Sequence, residues 1–145
     1  MLLKSLLPLY LRGHHGVSAL SKLLNGHLSK HVYCSGLHES ALAMVLSAVA
    51  ASCKKKQVYL LIMGDDEEAG YLFHDLEKIE ADADLAFFPS GYKRAAKYGR
   101  HDAASEILRT DTLERLSRWQ GSERPLLIVT YPAALAEGVP SAEGF

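Results

Sequence analysis

Two cysteines and one tryptophan are all that 145 residues contain of the two rarest side chains. Cys34, in a predicted central strand, and Cys53, at a predicted helix end, are too few for a disulfide framework and wrongly spaced for a metal pair. Both therefore read as buried free thiols of a cytoplasmic protein. Long hydrophobic runs are also missing, and no stretch approaches the roughly 20 apolar residues that cross a bilayer, so no membrane is expected. The opening MLLKSLLPLYLRG is interrupted by Lys4, Pro8 and Arg12 and lacks a small-residue cleavage site, which favours an amphipathic helix over a secretion signal. Neither sign of charge dominates: 16 Lys+Arg against 17 Asp+Glu leave a formal net charge of -1, which excludes a global attraction to nucleic acid or anionic lipid. None of the seven histidines has metal-ligand spacing, and no G-x-S-x-G elbow supplies a nucleophile.

What is present is apolar surface in a regular order. At 48% hydrophobic and 23% charged residues the chain has enough for one real core. Residues 1–29 read as two short helices broken near Gly13 to Gly16, with Leu20, Leu23 and Leu24 on one stripe of the second. Strand and helix then alternate. Strands are predicted at His31–Ser35, Gln57–Met63, Asp84–Phe88 and Pro125–Thr130, and helices at Glu39–Ser52, Asp66–Ile79, Asp102–Trp119 and Pro132–Glu137. Short connections between alternating elements imply parallel strands with crossover helices on both faces, and the continuous apolar runs VYLLIM and LLIV suit strands covered on both sides. Helix 39–52 is apolar nearly all round, so it should lie between the sheet and the N-terminal helices. Residues 139–145 have the composition of a linker.

Three segments invite a chemical reading. HVYCSGLHESALA, residues 31–43, has the layout of a phosphate-binding loop, a strand followed by glycine and a helix start. Gly36 takes the first glycine position, but the second Gly, the Lys and the Ser/Thr fall on Ala41, Leu42 and Ala43. The cation and the magnesium-binding hydroxyl are thus replaced by aliphatic groups, while Glu39 and Ser40 sit inside the loop. A carboxylate at Glu39 is placed to satisfy the helix-start N–H groups that an anion would otherwise take. LLIMGDDEE, residues 60–68, imitates an apolar strand ending in a magnesium-binding acidic pair. Its position on the next strand is wrong for that role, so Asp65 or Asp66 is expected to cap the following helix, with Glu67 and Glu68 in its first turn. FPSGYKRAAKYGR, residues 88–100, interleaves Lys93, Arg94, Lys97 and Arg100 with Tyr92 and Tyr98, a pattern suited either to single-stranded nucleic acid or to a solvated loop at a domain junction.

Taken together with ASEILRTDTLERL and PLLIVTYPAAL, these segments resemble, in order and spacing, the N-terminal region of the bacterial transcription-repair coupling factors. That region is similar in turn to the first domain of the excision-repair protein UvrB, and the resemblance covers Ser29 to Pro140. It implies a degenerate RecA-like (P-loop NTPase-like) α/β domain at 30–138, a parallel sheet with helices on both faces, preceded by the helical segment 1–29. Only about a dozen residues separate Pro89 from the next helix, too few for the long DNA-threading hairpin of UvrB. The implied role is that of a non-catalytic scaffold without cofactor. Its parent would displace stalled RNA polymerase with an ATP- and Mg-dependent DNA translocase of the helicase superfamily and recruit UvrA through an adjacent module for nucleotide excision repair. Arg109, in the R-x-x-x-L motif, is expected to form an ion pair at a domain junction. The competing readings are an active P-loop nucleotide-binding domain, a UvrB-like DNA-loading ATPase domain, or a flavodoxin-like small-molecule binder.

Overall fold

The computed structural model describes residues 11, 13–26, 31–54, 56–79, 82–92, 101–119 and 123–141. Helix α1 spans His15–Asn25 and α2 spans Ala41–Ser52. They are followed by β1 (Val58–Ile62), α3 (Asp66–Ile79), β2 (Asp84–Phe88), α4 (Ala103–Arg118), β3 (Leu126–Thr130) and the short α5 (Pro132–Leu135). The three strands form one parallel sheet in the order β1-β3-β2, with Leu60, Ala86 and Ile128 at the same level across it. The chain is thus an α/β protein with a small parallel sheet flanked by helices.

The strand order accounts for helices on both faces. From β1 the chain passes over the future place of β3 to reach β2, and it then turns back to β3. Two right-handed crossovers that travel in opposite directions must lie on opposite faces of the sheet. Successive side chains of β2 show the result: Phe87 meets Phe73 of α3, with ring centroids 5.4 Å apart, while Phe88 on the other face lies beneath Arg109 of α4. Every residue of the central strand LLIVT is buried. Leu76, Leu126, Leu127 and Val129 are the largest apolar side chains at its centre, joined by Ala69, Leu72 and Ala86.

Local signals fix the ends of these elements. Asp65 accepts a hydrogen bond from the Glu68 amide through Oδ1 at 2.9 Å, and Glu68 Oε2 reaches back to the Gly64 amide at 3.0 Å, a reciprocal arrangement that starts α3 as its sequence predicts. Pro132 opens α5, where its missing N–H costs nothing. Helix α4 carries Arg115 paired with Asp111 at 2.8 Å and Arg118 paired with Glu114, each one turn apart.

Three expectations are corrected. No strand forms at 31–35: the segment is extended, and among the described residues no backbone group of 31–37 bonds to another backbone. A strand exists only through its ladder partner, and a short apolar run without one remains open to water. Tyr33 is 95% exposed, and Cys34 is exposed rather than buried, whereas Cys53 is buried as expected. Helix α2 has α1 on one side, but its other main neighbour is α3 rather than the sheet. Ala43 and Ala50 join the main core, while Ala48, Val49 and Cys53 form a second cluster with Val17, Leu20 and Leu24. Of the N-terminal helical segment, 1–10, 12 and 27–30 lie outside the described residues.

One buried group stands apart. Among the described residues no hydrogen bond of ordinary geometry reaches the buried Tyr59 hydroxyl, and burial, with the Cys53 thiol beside it, pushes the phenol well above its ordinary pKa. An acid whose folded pKa is raised keeps its proton in the native state while the unfolded chain releases it, so stability falls as pH climbs past about 10. Tyr59→Phe should flatten that alkaline loss and leave stability at neutral pH equal or higher, as read by urea denaturation at pH 7 and above pH 10. Leu127→Ala, which empties the middle of the sheet, should cost about 2–5 kcal/mol in the same measurement at pH 7.

Candidate functional site

In an open parallel sheet, ligands bind outside the carboxyl ends of the strands. At the end of β1 lies an open cavity of about 570 Å³, walled by Leu37–Ser40 and Leu42 on one side and by Met63, Glu68, Tyr71, Leu72 and Asp75 on the other. Residues from the 36–43 segment, which by sequence has the layout of a degenerate phosphate loop, form one wall of it. Gly36 has φ of +80°, the left-handed turn such a loop requires, and no atom lies within 4 Å of where a Cβ would stand. Glu39 also has a positive φ, 49°, an unusual conformation for a residue with a side chain.

Two of the helix-start donors that would face a phosphate are already used. The Ala41 amide donates to the His38 carbonyl at 3.1 Å and the Leu42 amide to the Glu39 carbonyl at 3.4 Å. The expectation that the Glu39 carboxylate takes these donors is therefore corrected: backbone carbonyls take them, because the chain turns tightly enough at 38–40 to bring them within reach. Ser40 makes no side-chain cap and donates its hydroxyl to Asp75 Oδ2 of α3 at 2.9 Å, tying the loop to the neighbouring helix. Among the described residues the charged lining consists of Glu39, Glu68 and Asp75, with no Lys or Arg. A triphosphate placed there would meet negative charge at close range with no cation to offset it. Ala41, Leu42 and Ala43 contribute methyl and isobutyl groups at the positions where a phosphate loop carries its polar ones.

A second constellation closes the carboxyl ends of β2 and β3. Arg109, 8% exposed, donates through Nη1 to the carbonyls of Pro89 at 2.8 Å and Ala134 at 3.0 Å, and it lies 3.3 Å from Glu137 Oε2. Its guanidinium stands 4.2 Å above the centre of the Phe88 ring, a favourable cation–π position. Glu137 in turn accepts from the Gly91 amide at 2.9 Å and from the Ser90 hydroxyl, while the Tyr131 hydroxyl accepts from the Ser90 amide at 2.8 Å. The turn after β2, the middle of α4 and the segment after β3 are thereby held by one ion pair between buried Arg109 and part-buried Glu137. The expected ion pair of Arg109 at a domain junction is corrected accordingly, since its carboxylate partner lies within this same fold. Composition did not reveal Glu137 as that partner; its only signal was an acidic residue a few positions beyond the last buried strand.

The basic loop springs from this clamp. Tyr92 and His101 form an isolated antiparallel bridge, their rings 4.6 Å apart, and His101 is paired with Glu106. Lys93, Arg94, Lys97 and Arg100 lie outside the described residues. No group of His, Cys, Asp and Glu among the described residues has the arrangement of a metal site, and no helix among them is long and apolar enough to cross a membrane. No family model, curated protein or solved structure matches this chain.

Removing one partner of the buried pair should be expensive, because it strands the other. Arg109→Ala should lower unfolding stability by about 3–5 kcal/mol in urea denaturation, with Glu137→Ala close behind. A combined variant losing much less than the sum of the two would confirm their coupling, and full additivity would show that the contact carries no energy.

Proposed function

We propose that this chain is a RecA-like domain that has lost nucleotide chemistry and serves as a scaffold in a transcription-repair coupling factor. The observation that carries the non-catalytic reading is the cavity at residues 37–42, where three carboxylates line the space and Leu42 stands in the place of the phosphate-binding cation. The parallel sheet and the order of its elements support the RecA-like assignment, and the sequence motifs support the family. In this reading the domain holds an adjacent UvrA-recruiting module in place within a cytoplasmic repair protein. ATP, magnesium, DNA and RNA polymerase are engaged by other parts of that protein. Ile107, Leu108 and Leu116 on α4 are exposed apolar side chains and offer a surface for neighbouring domains.

Isothermal titration with ATP and magnesium should give no heat of binding, whereas micromolar affinity would restore the P-loop enzyme or the UvrB-like ATPase as the better reading. Leu42→Lys combined with Ala43→Thr should still show no ATP hydrolysis, because Glu39, Glu68 and Asp75 remain and the amides of residues 41 and 42 stay engaged. The repair assignment is tested by joining the chain to the residues that follow it in its gene product and measuring UvrA binding. That longer protein should bind UvrA while the 145-residue chain alone does not, and failure of the longer protein to bind would remove the assignment.

A further inference from the structure

Among the described residues the sheet ends at β1. Among the described residues nothing pairs with its outer side, so the strand presents an open edge. The Gln57 carbonyl and the Met63 amide bond to β3, which by the two-residue period of a strand points the N–H and C=O of Val58, Leu60 and Ile62 outward. Open edges are usually guarded by a lysine, a proline or a bulge. VYLLI has none of these. On the face of the sheet shared with α4, Leu60 is 52% and Ile62 54% exposed, since α4 packs over β2 at the far side.

The charges beyond the two ends of the strand are opposite. Lys54 and Lys56 precede β1, and Asp65, Asp66, Glu67 and Glu68 follow it. A parallel copy laid along this edge would place like charges together at both ends. An antiparallel copy does the reverse, setting the basic end of each strand against the acidic end of the other, twice by symmetry. The outward-facing residues also match. With Leu60 on the two-fold axis, Leu60 faces Leu60 and Val58 faces Ile62, and every one of these directs both backbone groups at its counterpart, giving about six inter-chain hydrogen bonds.

We infer that β1 is a self-complementary dimer edge, through which two copies of this chain pair antiparallel into a continuous six-stranded sheet. This inference rests on the geometry and charge of the edge, and it stands or falls separately from the scaffold reading. Sedimentation velocity of the whole chain over a wide range of concentration should show a monomer–dimer equilibrium that weakens with added salt. Leu60→Lys, on an exposed site that leaves folding intact, should weaken association about tenfold or more. Hydrogen exchange should find the Val58, Leu60 and Ile62 amides protected in proportion to the dimer. The charge pattern is tested with two variants, Lys54→Glu/Lys56→Glu and Asp66→Lys/Glu67→Lys. Each alone should be monomeric, and their mixture should form a heterodimer. A chain that stays monomeric at every concentration overturns the inference, whether its edge amides exchange freely or are shielded by its own residues. So does a dimer in which those three amides remain unprotected, or one indifferent to both charge reversals.

Discussion

One buried guanidinium organises the carboxyl side of this fold. Arg109 is buried, and a charge so placed is tolerated only if it is paired and hydrogen-bonded. Two carbonyls, a carboxylate and an aromatic face meet that requirement, and they come from two separate segments, 88–89 and 134–137. Satisfying the charge therefore dictates where the turn after β2 and the segment after β3 must lie. Glu137, bound also to Ser90 and Gly91, transmits the same constraint across the ends of two strands. In an open α/β sheet this is the region where a ligand is ordinarily received, and here the chain's own ion pair occupies part of it.

The end of β1 follows a different logic to a similar outcome. The turn at Gly36 has a positive φ and is followed by a helix start, but that geometry alone does not bind phosphate. Phosphate affinity depends on free amides and a nearby cation; here local carbonyls take the Ala41 and Leu42 amides, and the charged side chains lining the cavity among the described residues are carboxylates. The backbone path is held by a glycine at positive φ and by the packing of α2 against α1 and α3.

The open edge of β1 shows how a fold can be complete in one direction and unfinished in another. The central strand is buried on both faces and both edges, so its apolar run needs no further explanation. Its neighbour β1 has the same kind of sequence, yet none of its five residues is fully buried and Leu60 and Ile62 are exposed. Apolar composition states that a strand expects cover without stating what provides it.

Much of the architecture was legible in the amino-acid order. The limits of α3 and β2 fell where Asp65, Gly64 and the apolar run DLAFF placed them, because caps and periodicity act over a few residues. The aliphatic Leu42 where a phosphate loop carries its lysine was equally legible. What the sequence could not decide is whatever depends on a partner distant in the chain. The extended run at 31–35 has the apolar character of a strand and no ladder to join, so Cys34 faces water. Arg109 was recognisable as a residue of interest, but that its counterpart is Glu137 emerged only when α4 and the end of β3 came together. Local chemistry is written in neighbouring residues; pairing, burial and strand order arise from contacts that only the folded chain brings about.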